Sequence, residues 1–275
     1  MITLSSAQLY AWIAAFIWPL TRILGLIATA PLFGNNSVPA RVKIVLGGML
    51  ALIVAPTVPD LPAIEPTSLE GLLILVQQLL IGMAMGLAMR IVFAAVEMAG
   101  EVAGLTMGLG FATFFDPLSE GRSSAISQFL SLIVLMLYLA TDLHLVLLSV
   151  LADSFRTMPI TTLPMGMDMF RQLAAWGGQI FSSGVQLSLP IVATLLIANT
   201  ALGILTRAAP QLNLFAIGFP VTIGAGFIML TISLPYFATP VGNLFQEAVT
   251  TIQRMTEATL PAPGVRAPQA TTPAQ

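Results

Sequence analysis

The stretch that decides how this chain is read runs from Glu97 to Arg122, EMAGEVAGLTMGLGFATFFDPLSEGR. It lies between two long apolar segments, yet it is glycine-rich and charged. Glu97 and Glu101 stand one helical turn apart, and Gly100, Gly104 and Gly108 form a second four-residue series beside them. Small residues at that spacing let a neighbouring backbone approach a membrane helix closely. Gly108-Leu109-Gly110, the aromatics Phe111, Phe114 and Phe115, and Asp116-Pro117 then mark the helix end and a loop. Irregular backbone at membrane depth is tolerated only where protein or water surrounds it. Two readings follow: a loop that lines or blocks a passage, or a tight helix contact followed by an ordinary connection.

Composition sets the surroundings of that loop. Charged residues make up 8% of the 275 and hydrophobic ones 57%, against roughly 25% charged in an average soluble domain. With a mean hydropathy of +0.93, the chain reads as an all-α integral membrane protein. Its net charge is −2 and its ten Lys and Arg are scattered, so no basic patch points to nucleic acid. The absence of cysteine excludes disulfides, a thiolate nucleophile and sulfur metal ligation. A lone histidine, His144, is too little for a histidine metal site, and no cofactor is implied. Ala28-Thr29-Ala30 imitates a signal-peptide cleavage site. Arg22 inside the preceding run, Pro31 after it and the lack of a basic start argue that the segment is retained.

Taken from its start, the chain opens with a capping-box pattern at Ser5-Ser6-Ala7-Gln8. A first segment from Tyr10 to Phe33 is long enough to span and carries Arg22 in its middle. An arginine there must face protein or a polar lumen, unless it snorkels from a tilted helix. The second segment, Ile44 to Val58, falls below the roughly 20 residues a full crossing needs and reads as a half-span or a helix packed in an assembly. After an acidic loop, Thr67-x-x-Glu70 is a second capping box. The third segment runs from Gly71 to Val96 and on into the opening stretch, with Gly82-x-x-x-Gly86 within it. Positions 90, 94, 97, 101, 104 and 108 then share one helical stripe, grouping Arg90, Glu97 and Glu101 as a proton relay or as a structural ion pair with one carboxylate over. Met83, Met85, Met89, Met98 and Met107 cluster nearby, as core filling or as a deformable lining.

The fourth segment, Ile126 to Leu151, is interrupted late by Asp142 and His144, which do not face each other on a helix. Asp153 to Arg171, with Pro159 and Pro164, is the best internal boundary. Beyond it lie two charge-free runs, Arg171 to Arg207 and Arg207 to Glu247, each longer than one straight span. Pro190, Pro220, Pro235 and Pro240 interrupt them, which predicts kinked helices in one hairpin turned at Arg207, Pro210 and Gln211. The Pro/Ala/Thr-rich end from Leu260 is expected to be disordered. If six segments alternate, the basic loops favour an N-terminus outside the cytoplasm.

Three stretches together resemble the FliR family of type III export-gate proteins. They are Arg22-Ile23 through Ala30-Pro31-Leu32-Phe33-Gly34 to Val38-Pro39-Ala40-Arg41, then Met107 to Pro117, then Leu205 to Asn213 continuing to Gly218-Phe219-Pro220. They spread over most of the chain in the family's order. One departure is Gly110, where the family often has serine. The wording Gly-Phe-Ala-Thr-Phe-Phe-Asp-Pro leans flagellar rather than towards the similar injectisome proteins.

The resemblance implies bent, tilted helical hairpins in a helical export-gate assembly rather than a bundle of straight spans. It implies a FliP-like region over residues 1–170, a FliQ-like hairpin over 171–258 and a disordered tail over 259–275. It implies FliP-like and FliQ-like sister subunits, FlhB-like and FlhA-like export partners, membrane lipid around the complex and unfolded flagellar subunits as cargo. The location it implies is the bacterial inner membrane at the flagellar basal body. Gly108, Leu109, Gly110, Phe111, Phe114, Phe115, Asp116 and Pro117 map onto the family's lumen plug. Arg207, Pro210, Gln211 and Asn213 map onto the hairpin turn that faces the cytoplasm. The function implied is non-enzymatic: a protein-conducting gate closed by a loop. The competing reading is a secondary transporter that uses Arg90, Glu97 and Glu101 at a broken helix, although the charge-free second half does not mirror the first.

Overall fold

A computed structural model describes residues 6–35, 37–59, 61–62, 64–111, 124–162, 166–209 and 214–257. Among them there are helices and turns but no strand. The helices are α1 (Ser6–Thr29), α2 (Ala40–Val54), α3 (Leu69–Thr106), α4 (Ala125–Ala140), α5 (Leu143–Thr157), α6 (Met167–Gly177), α7 (Gln179–Ala208) and α8 (Leu214–Glu257).

Helix α3 is the axis of the molecule: α1, α4, α6, α7 and α8 all pack on it. Its 38 residues extend about 57 Å, well beyond the roughly 30 Å of a bilayer core. Ser68 starts it, with Oγ accepting from Gly71 N at 3.1 Å. The expected cap, Thr67, is thus displaced by one residue. Ser68 is already drawn into a turn in which its N–H and its hydroxyl both donate to Glu65 O. Glu70 instead lies in the first turn, where a carboxylate suits the helix dipole.

Glycines set how closely α1 lies on α3. A Cβ on Gly82 would collide with the Arg22 carbonyl and reach Leu26 N at 2.9 Å, and one on Gly86 would reach Leu26 O at 2.8 Å. From the other side, a Cβ on Gly25 would sit 2.5 Å from Leu79 O. Backbones this close gain dispersion contacts that larger side chains would forbid.

Several expected boundaries move. Helix α2 begins at Ala40 directly after Pro39 and continues as a 3-10 turn over Ala55–Thr57, giving an 18-residue apolar stretch that is long enough to cross. Most of that stretch has no cover from this chain. The fourth expected segment is two helices, α4 and α5, bent by 65°. Asp142 makes the break with a left-handed φ of 54°, a conformation aspartate tolerates better than most residues. The polar connection is shorter than Asp153 to Arg171, because residues through Thr157 finish α5 and Met167 already opens α6. The boundary expected at residue 171 therefore falls inside α6. Pro190 lies within α7 and Pro220, Pro235 and Pro240 within α8, whose 44 residues stay helical throughout.

Among the described residues five helical stretches are long and apolar enough to cross a membrane, or six if α4 and α5 count as one broken span. Overlong, bent and proline-containing helices agree with the expected all-α membrane protein that departs from straight spans. Pro210, Gln211 and Asn213 of the expected turn and the 259–275 tail lie outside the described residues. Arg207 lies in the last turn of α7, one residue before Ala208 ends the helix.

Candidate functional site

Phe114, Phe115, Asp116 and Pro117 of the expected loop lie outside the described residues, whereas Met107–Phe111 before them and Ser124 after them lie within. Helix α3 stops at Thr106, Met107 forms its C-cap, and Gly108 turns the chain with φ of 89°. At that angle an L side chain would be strained, which is the physical use of this glycine. Leu109–Phe111 follow as one 3-10 turn.

The chain returns at Ser124, directly beside the end of α3. Ser124 N–H donates to Glu101 Oε1 at 2.6 Å, and Ser124 Oγ donates to Gly100 O at 3.4 Å. Ser127 Oγ donates to Glu97 O at 3.0 Å. Ser124 is the N-cap of α4, its Oγ accepting from Ser127 N at 3.1 Å. In a capping box the carboxylate that satisfies the N-cap N–H comes from the same helix; here Glu101 supplies it from α3. The four-residue glycine series makes room for this return. A Cβ on Gly100 would collide with the Ser127 backbone, and one on Gly104 would meet Ser124 Oγ at 3.0 Å. The segment between Met107 and Ser124 thus leaves α3 and comes back to it within two turns of where it left.

The expected grouping of Arg90, Glu97 and Glu101 is divided. Arg90, Ala94 and Glu97 line an open cavity of about 490 Å³, together with Asn35, Gln128 and Ser131. The Glu97 carboxylate accepts from Ser131 Oγ at 3.3 Å, whereas the Glu101 carboxylate is committed to Ser124. Arg90 and Glu97 are exposed. Among the described residues Arg90 forms no hydrogen bond or ion pair with either acid.

Arg22 is fully buried and satisfied by protein. Its Nε donates to Gln78 Oε1 at 2.8 Å. One terminal nitrogen donates to Ser154 O at 2.9 Å and Ser154 Oγ at 3.0 Å, and the other to Met158 O at 2.8 Å. Its Cζ sits 4.3 Å from the centroid of the Phe155 ring. Two of these acceptors are carbonyls in the last turn of α5, Ser154 O shared with the Met158 N–H and Met158 O at the C-cap, where the negative helix end favours a cation. One side chain thereby ties α1, α3 and α5 together, with neutral acceptors throughout.

The methionines divide in the same way. Met85, Met89 and Met107 are core residues, and only Met83 is exposed. Among the described residues Asp142 and His144 make no pair: Asp142 occupies the bend, and His144 Nδ1 is buried without a hydrogen-bond partner. Ser182 and Ser183 both donate to Gln179 Oε1, at 2.6 and 3.0 Å. The sequence reading passes over Gln78, Ser154 and Trp176, whose Nε1 donates to Ala88 O at 2.8 Å. Gln78 carried a usable signal, since a glutamine inside an apolar helix needs a polar partner.

Residues 13–248 match the bacterial export proteins, family 1. The chain is similar to the flagellar biosynthetic protein FliR of Pectobacterium carotovorum subsp. carotovorum, with 44% identity over 247 residues, 90% of this chain and 94% of that protein. It is 42% identical over 249 residues to FliR of Escherichia coli K12, again 90% and 94% of the two chains. It is 32% identical over 244 residues to FliR of Bacillus subtilis 168, 88% and 94% of the two.

Proposed function

The chain belongs to the bacterial export proteins, family 1, among the flagellar FliR proteins, and on that premise we propose that it is the gate subunit whose 108–117 loop closes the export channel at rest. As a member of that family it is a membrane-embedded component of the flagellar export apparatus. The closure reading rests on one observation: the loop's two roots are pinned side by side on α3, Met107–Gly108 leaving and Ser124 returning through Glu101. A loop pinned in this way can change its own shape without dragging the helices that carry it. Phe111, Phe114 and Phe115 would supply the bulk that fills the passage, and Gly108 and Gly110 the freedom to swing aside.

In the same reading, FliP-like and FliQ-like sister subunits cover the apolar surfaces this chain leaves bare. Helix α2 and the outer face of α7 are examples, with Met49, Leu52, Ile53, Leu196 and Ile197 exposed. FlhB-like and FlhA-like proteins deliver unfolded flagellar subunits from the cytoplasmic side, at the turn after Arg207. The complex sits in the inner membrane at the base of the flagellum. Residues 1–170 and 171–258 are its FliP-like and FliQ-like parts, and chemistry on the cargo forms no part of the role.

The test is deletion of residues 108–117 in a strain that expresses the sister subunits. The expected outcome is a complex that still assembles but leaves membranes leaky to small ions. An assembled deletion complex as tight as the parent would sink the closure reading. The transporter alternative retains the cavity shared by Arg90 and Glu97 but loses Glu101 from it. Its test is uptake: Glu97→Gln would abolish a proton-coupled transport step while leaving protein export at the parent level.

A further inference from the structure

The root of the loop is held by a residue 115 positions away in sequence. Thr222 Oγ1, on α8, lies 3.2 Å from Met107 O, the carbonyl of the α3 C-cap. The same hydroxyl lies 3.1 Å from Phe219 O in its own helix. Phe219, Thr222 and Gly226 follow at i, i+3 and i+7, so they form one face of α8. Each member of that face touches the root. The Phe219 ring lies against Gly108, where a Cβ would be 2.9 Å from two ring carbons. The Met107 side chain fills the space over Gly226, where a Cβ would be 2.5 Å from its Cγ and 2.8 Å from its sulfur. Thr222 and Met107 are both buried.

From this we propose that Phe219, Thr222 and Gly226 form a latch on α8 that positions the start of the 108–117 loop. This rests on the closure reading of that loop and adds what holds it. The chemistry makes the latch reversible. A threonine hydroxyl has one proton and here two carbonyl acceptors at nearly equal distance, so it can give up Met107 O and remain satisfied by Phe219 O. Among the described residues, the Met107 carbonyl is then the group left without a partner. A shift of α8 past the end of α3 would therefore free the root of the loop at the expense of one hydrogen bond and of the Phe219 and Gly226 packing contacts. Helix α8 follows the turn expected to meet the export partners, so it connects that turn to the loop.

The test uses the assembled complex in its membrane and a single cysteine at Gly110, since the chain has none of its own. Among the described residues, a Cβ at Gly110 meets the flexible end of Leu105. The rate of maleimide labelling of G110C reports how well the root is held. With the Thr222→Val change added, labelling should quicken about fivefold, the ratio that corresponds to losing one ordinary hydrogen bond. Thr222→Ser keeps the hydroxyl and should label at the parent rate. Gly226→Leu, which displaces Met107 without touching the hydroxyl, should also quicken labelling and decides the matter if the valine variant does not assemble. Parent-rate labelling in assembled Thr222→Val and Gly226→Leu complexes would overturn the latch. This readout is separate from ion leak: a tight 108–117 deletion would remove the closure reading, whereas unchanged labelling would remove the latch alone.

Discussion

The Glu101 carboxylate caps a helix whose N-cap residue lies 23 residues later, accepting the Ser124 N–H at 2.6 Å. This contact brings the two ends of the loop together, and it places a negative group at the N-terminus of α4, where the helix dipole favours it. Glu101→Ala is therefore expected to loosen the return of the loop at a cost of about 1–2 kcal/mol. Glu101→Gln, which retains an acceptor oxygen but no charge, should recover part of that. Hydrogen exchange of the 124–128 amides in the purified complex would report the change. Unaltered protection in Glu101→Ala would mean that the contact does not hold the loop.

Arg22 distinguishes a structural cation from a proton-handling one. Its four hydrogen bonds go to one glutamine, one serine hydroxyl and two helix-end carbonyls, a fork that lysine cannot reproduce. Arg22→Lys is expected to destabilise the chain nearly as much as Arg22→Leu, by about 3 kcal/mol or more, because the fork to the Gln78 amide oxygen, Met158 O and Ser154 is lost. Gln78→Ala should cost less, since it removes one acceptor and leaves the rest of the fork. The measurement is the yield and Tm of the assembled complex. An Arg22→Lys complex with parent yield and Tm that nevertheless fails to export would reverse the assignment and point to proton handling.

Trp176 offers a narrower test. Its indole N–H donates to Ala88 O across the contact between α6 and α3, and the ring is largely buried. Trp176→Phe keeps most of the apolar contact and should lower stability by about 1 kcal/mol. Trp176→Ala should cost about 3–5 kcal/mol through the cavity it leaves. Equal Tm values for the two variants would show that packing around the ring contributes little.

What could be read from residues alone follows the reach of each interaction. The long third helix and its end at Gly108 were legible because apolar periodicity, small-residue spacing and a glycine turn are local signals. The membrane class followed from composition. The 65° bend was visible only as polar letters at Asp142 and His144, because a left-handed φ in a non-glycine residue leaves no separate mark. The cap at Ser68 was missed by one residue because Thr67 offers the same chemistry. Arg22 could be marked as needing a polar partner, but Gln78 and Ser154 lie 56 and 132 residues away. Nothing in the spacing selects them. Glu101 was grouped with Arg90 by helical phase, and only the return of the chain at Ser124 reveals a nearer donor.

Gly82 and Gly48 make the last comparison, since both are helix glycines in apolar segments and only one is covered. At Gly48 an added Cβ meets nothing within 4 Å among the described residues of this chain, so Gly48→Ala in the chain purified without its sister subunits should be neutral or stabilise by up to about 1 kcal/mol through helix propensity. At Gly82 the same methyl would collide with the Arg22 carbonyl and press on Leu26 N. Backbone cannot rotate away as a side chain can, so α1 must shift outward, at about 1–3 kcal/mol for overpacking. The shift would also draw the Arg22 guanidinium away from Gln78, one turn before Gly82 on the same helix. Gly82→Ala combined with Gln78→Ala should therefore cost less than the sum of the two single changes, because both weaken the same bond. A double-mutant cycle on the Tm of the assembled complex measures this. Strict additivity would show that the close approach at Gly82 and the Arg22–Gln78 hydrogen bond are independent.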